Sequence, residues 1–576
     1  MLFHAMTPRQ QMRKRFPLAA IVPAAMCLAA LLALAACGSR PRTPAESDTG
    51  AATSPAAAEP EPPSNAAPSP RYGSVQATPA DDVLTYHNDL ARTGLDPDET
   101  LLMPANVNSK SFGKLFRDQV DGFVYAQPLY VAGVSIPGKG RHNVVYVATE
   151  SDTVYAFDAD RAGPPLWRAS LLEGGTPVPS SVVGCGQIVP RIGITGTPVI
   201  DRATGTLYVV SMVRHRSSPR DSFAQRLHAL DIATGKEKLG GPVTIAGSVA
   251  GKGAGSKDGK IAFDAFTHLN RPGLALANGV LYIAFGSHCD IGDYHGWVFA
   301  YGAAHLRRRA IFNVTPNGSE GAIWQTGDAP AIDAQGNVYV LTGNGTFDAA
   351  SGGADYGDSF VKLAGNTLRP LDFFTPYDEK TLDQQDLDVG SGGPVLLPAQ
   401  PGHPPLVVGA GKNAVLYVLN RNRMGRFNPK DNSQIVQEIR GEIAPNFSTP
   451  AYWNGHLYIG SIGQPLKEFA LTGGRLSAAP VSRSADKFNY PGTTPSISSS
   501  GDKNAIVWAL ETSGYMAGKP AILRAYDATD LAHQLYASSS HAPGGAGVKF
   551  TTPMIAHGRV YFGTQNSLEV YGLLKP

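Results

Sequence analysis

The chain has 576 residues, a formal net charge of +2, 64 Gly, 45 Pro and 43% apolar residues, with only 17% charged. That length exceeds one small core, and the near-neutral, dispersed charge excludes a concentrated basic face for nucleic acid or a long like-charge tail. Abundant Gly and Pro beside many apolar residues suit short strands and turns better than long helices.

The first element is an export signal. "RQQMRKRF" is basic, and "PLAAIVPAAMCLAALLALAAC" then runs apolar to Cys37. Its last four residues, Leu34-Ala35-Ala36-Cys37, resemble a bacterial lipobox. The resemblance implies a signal peptide over 1–36, lipidation of Cys37 and a membrane anchor; Gly38 favours the outer membrane, facing the periplasm. The alternative is an uncleaved signal anchor, since about 18 apolar residues nearly span a bilayer. Residues 37–82 follow, rich in Ala, Pro and Ser, with too little apolar side chain to bury; they read as a disordered tether. Of four Cys, Cys27 leaves with the signal and Cys37 is lipidated. Cys185 and Cys289 remain, either bridged if the fold brings them together or two separate buried thiols.

From residue 83 to 576 a repeat takes over. A small or polar residue precedes Pro128, Pro198, Pro272, Pro330, Pro394, Pro450, Pro495 and Pro553, each opening an apolar strand. An aromatic-bearing strand follows in most repeats, such as "VVYVAT", "TLYVVS", "VLYIAF" or "RVYFGT", and many add a third, such as "TVYAFDA" or "ILRAYDATD". The spacing is roughly 60 residues, enough for a four-stranded blade with loop insertions. Such units cannot stand alone, and radial stacking buries both faces and leaves few edges. The pattern predicts an all-β, eight-bladed β-propeller rather than two tandem sandwiches. "VLTYHNDLARTG", before the first repeat, is the candidate closing strand of the last blade.

Two repeat ends, "AFDADRAGPPLW" and "ALDIATGKEKL", resemble the tryptophan-docking pattern A-x-D-x-x-T-G-x-x-x-W of the quinoprotein dehydrogenases. The first keeps Trp167 with one residue inserted; the second has Leu239 in that place. Further motifs resemble, in order, those of the pyrroloquinoline quinone (PQQ) alcohol dehydrogenases. "GAIWQTGDAPAIDAQGNVYVLTGNG" carries Gly321, Trp324 and Thr342-Gly343-Asn344, matching G-x-x-W and T-G-N. The resemblance implies that Trp324 is the floor for a flat quinone and that Asn344 touches both quinone and Ca²⁺. "CGQIVPRIG" matches C-C-x-x-V-N-R-G at Cys185 and Arg191, but Gly186 stands where a vicinal Cys belongs. In "GSHCDIGDYHG" the metal-binding Glu becomes Asp290, beside Cys289. Were both loops on one rim, Cys185 and Cys289 would form a substitute bridge over the quinone.

"DQQDLD" resembles D-x-W-D-x-D with Gln385 for Trp. It implies Asp383 as a metal ligand and as the base that takes the alcohol proton, with Asp378 as its rival. "GAGKNAVLYVLNRNRMG" places Lys412 where a cation polarises a quinone carbonyl. The implied cofactors are PQQ and Ca²⁺, with an alcohol, polyol or sugar as substrate. No C-x-x-C-H occurs, so electrons would pass to a separate acceptor such as a cytochrome or quinone. The competing reading is a non-catalytic propeller acting as an envelope scaffold or binding protein. A hydrolase lacks a G-x-S-x-G motif on a strand-to-helix turn, and His268, His288 and His295 are a metal set only if their loops converge.

Overall fold

A computed structural model of the chain describes residues 81–538 and 544–574. The signal peptide, Cys37 and nearly all of the tether lie outside the described residues. Among those described, no helix is long and apolar enough to cross a membrane.

Eight sheets of four to six strands follow one another along the chain, antiparallel except where the short strand Leu95–Asp96 pairs parallel to Ser496–Ser500. Their innermost strands begin just after the repeat prolines, at Leu129–Ile136, Val199–Asp201, Ala275–Ala277, Ala331–Ile332, Val395–Leu397, Ala451–Trp453, Ser496–Ser500 and Met554–Ala556. We number the blades 1 to 8 in that order. Proline suits the first residue of a strand, where no ladder N–H is lost. The ring closes when Phe112–Gln119 pairs antiparallel with Ser567–Leu573 and supplies the outermost strand of blade 8.

In four blades the tyrosine of the second strand joins the next blade. Its hydroxyl donates to the carbonyl just past the third strand of the next blade. Tyr146 reaches Ile232 at 3.0 Å, Tyr208 reaches Ala303 at 3.1 Å, Tyr458 reaches Ala528 at 2.8 Å, and Tyr561 reaches Ala159 at 3.3 Å. The ring is buried against apolar side chains and the hydroxyl finds its acceptor, as a buried Tyr requires. Trp167 docks in the same way, donating to the Ile232 carbonyl at 2.9 Å. It lies so close over Gly235 that a Cβ there would sit 2.5 Å from the indole. Leu239, in the corresponding place of the second motif, is exposed.

"VLTYHNDLARTG" is not the closing strand. His87, Asn88 and Arg92 have φ of 55°, 69° and 66°, which a ladder strand does not tolerate. The segment instead runs as a strap across the innermost strands. Val83 exchanges backbone hydrogen bonds with Tyr130, while carbonyls of Leu84, Leu90, Ala91, Thr93 and Gly94 accept from Ile200, Ile332, Leu396, Tyr452 and Ile497. Each of these partners is the second residue after a repeat proline, so the strap reads the same register in six of the eight blades. Arg92, fully buried, fixes it: its guanidinium donates to the Pro330 carbonyl at 2.9 and 3.2 Å, to the Tyr86 and Asp89 carbonyls and to Thr85 Oγ1.

Candidate functional site

One cavity gathers residues from the segments that enter the innermost strands of seven blades. These are Gln187 before blade 2, Arg271 before blade 3, Trp324 and Thr326 before blade 4, and Asp388 and Ser391 before blade 5. Phe447, Tyr490 and the pair Lys549-Phe550 follow before blades 6, 7 and 8, and turns between second and third strands add Asp290 and Lys412. Only the ring axis brings such segments together. Most lining residues precede the repeat proline and the strap's partners follow it, so the strap closes the axis on the other side of the cavity.

Trp324 is set by a strained turn. Gln325 and Thr326 take φ of 42° and 50°, an outlier for a β-branched residue. Gln325 Oε1 accepts from the Leu341 amide at 3.1 Å, and Thr326 Oγ1 donates to the Ser391 carbonyl. The indole then lies against two glycines. A Cβ on Gly286 would stand 3.0 Å from it, and one on Gly343 would stand 3.0 Å from it and 2.2 Å from Asp388 Oδ1. Gly343 is therefore the middle of Thr-Gly-Asn because only a bare backbone fits between Trp324 and Asp388. Thr342 locks the strand, donating to the Tyr356 carbonyl at 2.6 Å. The Asn344 amide N–H donates to Asp388 Oδ1 at 2.8 Å, and its Nδ2 to Asp386 Oδ1 at 3.1 Å. Asn344 Oδ1 is buried with no partner.

The electrostatics centre on Lys412, whose ammonium lies 2.6 Å from Asp386 and 2.5 Å from Asp388. Burial lowers its pKa, but the two carboxylates outweigh that and hold it above the usual lysine range. Asp290 accepts from the Tyr294 hydroxyl at 2.9 Å. Burial, followed by the charges of Asp388 and Asp386, pushes it up to about 6. Behind them Asp358 accepts from the Val389 amide at 3.0 Å, and burial, then Asp388, keeps its pKa well above the carboxylate norm.

Cys185 and Cys289 form a disulfide that joins the loop before blade 2 to the turn carrying Asp290. It packs in an apolar cluster with Tyr125, Val183, Leu269 and Val548. Of the residues singled out in the sequence, Trp324, Asp290 and Lys412 line the cavity, and Asn344 contacts its carboxylates. The two cysteines do not line it, and neither do Arg191, Asp383 and Asp378. Arg191 is exposed, with its guanidinium 3.5 Å from Ser151 Oγ. Asp383 sits half-buried on the helix Glu379–Gln385, and Asp378 precedes that helix, 3.8 Å from Arg440. Asp386 ends the helix in the left-handed region at φ 56°, turning the chain so that Asp388 enters the cavity.

Among the described residues the three histidines belong to no group arranged to hold a metal. His268 Nδ1 donates to the Asp264 carbonyl while its Nε2 accepts from Trp297 at 3.0 Å. His295 bridges Thr315 and the Ala254 carbonyl, and burial lowers the pKa of His288 to about 4. Arg271, Lys549, Phe447, Tyr490 and Phe550 were not singled out by any motif. Their common signal is position, just ahead of a repeat proline.

No family model and no curated protein matches the sequence. Solved structures do. The quinohemoprotein alcohol dehydrogenase from Comamonas testosteroni is 16% identical with a TM-score of 0.58, over 85% of this chain and 80% of that one. A europium-containing methanol dehydrogenase is 14% identical with a TM-score of 0.55, over 86% and 98%. A quinohemoprotein alcohol dehydrogenase from Pseudomonas putida HK5 is 14% identical with a TM-score of 0.55, over 86% and 80%. The fold is that of the quinoprotein alcohol dehydrogenases. This quinoprotein-type propeller retains an axial cavity with an indole on one wall and carboxylates and cations around it.

Proposed function

We propose that the chain is a periplasmic, lipid-anchored quinoprotein dehydrogenase that oxidises an alcohol, polyol or sugar with PQQ and a divalent cation, passing electrons to a separate acceptor. The observation that carries this is Trp324, pressed against Gly286 and Gly343 where it lines the cavity. A flat indole wall beside three cationic side chains fits a planar, polyanionic quinone. For the cation, Asp290 and the unpartnered Asn344 Oδ1 are oxygens a hard ion takes. Among the described residues no group of three or more His, Cys, Asp or Glu side chains is arranged to hold a metal. Asp290 and Asn344 would thus leave the rest of the ion's coordination to cofactor and water.

When bound, the quinone would supply the two-electron oxidation. The chain's own part is positional. Trp324 would hold the ring plane, Lys412 would keep positive charge at its edge, and Asp388, 2.5 Å from that ammonium, would accept the hydroxyl proton. We place the base at Asp388 because Asp383 and Asp378 do not line the cavity. A non-catalytic binding propeller is the second reading, favoured by one observation: the Lys412 ammonium already pairs with both Asp386 and Asp388.

Reconstitution with PQQ and Ca²⁺ or a lanthanide, followed by quinone absorbance and dye-linked oxidation of alcohols and sugars, separates the two. A perturbed quinone spectrum with turnover supports the dehydrogenase; an unchanged spectrum with every substrate inert leaves the binding propeller. The anchor is tested by Cys37→Ser, which should release the protein from membranes into the soluble fraction.

A further inference from the structure

Arg271 and Lys549 enter the cavity from the segments before blades 3 and 8, and both are nine-tenths buried, at 6% and 4% exposure. They flank one ring: the Arg271 guanidinium carbon lies 4.5 Å from the Phe550 centroid and Lys549 Nζ 5.2 Å from it. Lys549 Nζ also lies 5.8 Å from the Tyr515 ring. Among the described residues, neither side chain is ion-paired to a carboxylate or hydrogen-bonded to a protein acceptor. Arg271 feels Tyr490 and Tyr125 first and then Glu150, the one carboxyl among them, which burial pushes up to about 8. Burial and the Arg271 charge push Lys549 down to about 7. Basic side chains buried on one cavity without counter-ions are costly to hold in their charged form. A fold has no packing reason to keep them, and their donors point to an absent anion. A guanidinium fork matches a carboxylate, and the ammonium adds a point charge beside it.

We propose that Arg271 and Lys549 form a carboxylate-binding subsite of the cavity. The dehydrogenase reading identifies two sources for that carboxylate: a hydroxy-acid or sugar-acid substrate, or a carboxyl group of the quinone itself. The subsite rests on that reading for its probes, but it is read by binding and not by turnover, so a protein that binds both probes without turnover sinks the dehydrogenase alone.

Binding of gluconate and of glucose, matched in hydroxyls but not in charge, is measured by calorimetry on the full chain without cofactor, at two salt concentrations. PQQ binding is measured in parallel. With the substrate as source, gluconate binds at least ten-fold more tightly than glucose, the difference shrinks with salt, and Lys549→Met or Arg271→Gln abolishes it. With the cofactor as source, gluconate and glucose bind alike, while both variants weaken PQQ at least ten-fold and Lys549→Arg restores it. The subsite is overturned if wild type does not discriminate gluconate from glucose and both variants bind PQQ as wild type does. Folding of each variant is checked by its melting temperature, which Lys549→Met should hold or raise, since it deletes an unpaired buried charge.

Discussion

Arg92 and Arg271 are both buried arginines on the ring axis, yet they differ in where their donors go. Arg92 spends its N–H groups on carbonyls and a hydroxyl of the strap and of blade 4. Arg271 spends none on the protein among the described residues; it and Lys549 rest against an aromatic ring and face the cavity. A buried cation whose donors are used up is architecture. One whose donors are left over is waiting for a ligand.

The sharpest way to break this comparison is to remove each charge in turn. Arg92→Met should cost about 3–5 kcal/mol, because it strands the carbonyls of Pro330, Tyr86 and Asp89 and the Thr85 hydroxyl that its guanidinium satisfies. Arg271→Met should cost far less in the same urea titration. Equal losses would erase the distinction. Next in size is the disulfide beside the cavity. Cys185→Ser should lower stability by about 2–4 kcal/mol, since the bridge closes a loop of about a hundred residues. It should also weaken PQQ binding, because that bridge holds the turn bearing Asp290; a stability loss with unchanged PQQ affinity would confine it to the scaffold. Trp324→Leu should reduce PQQ affinity about ten-fold through lost ring contact. A fluorescence-quench titration showing no change would mean the indole is packing, as Trp167 is.

A further test concerns Glu150, through pH. Its folded pKa of about 8 lies above its usual 4.5. The folded chain therefore keeps a proton that the unfolded chain releases, and stability falls as pH rises from about 4.5 to 8. Glu150→Gln should remove that portion of the slope in denaturation curves between pH 5 and 8. An unchanged slope would mean Glu150 is ionised, hence a true partner of Arg271, and the contrast with Arg92 would narrow.

Much of the fold was legible because every blade repeats one register. The eight prolines mark where innermost strands start, and the aromatic in the next strand marks the joint to the following blade. The strap was misjudged for a physical reason: "VLTYHNDLARTG" has apolar residues like a strand, but its positive-φ turns suit a chain that bends from blade to blade. Of the residues at or beside the cavity, Trp324, Asn344, Asp290 and Lys412 carry motifs in the sequence. Spacing alone does not reveal that a helix ends at Gln385 and that Asp386 reverses the chain, which brings Asp388 and not Asp383 to the cavity wall. Arg271, Lys549, Phe447, Tyr490 and Phe550 carry no motif; their neighbours in space lie hundreds of residues away in sequence, and only ring closure makes them a site.

The strap has one more consequence, for how the molecule comes into being. Its residues and the strand Phe112–Gln119 leave the ribosome early, yet their partners include Ile497 and Ser567–Leu573, made last. Every pairing that shuts the circle spans most of the chain, so a truncated product can form blades but not a sealed ring, and assembly should be slow and finish in one late step.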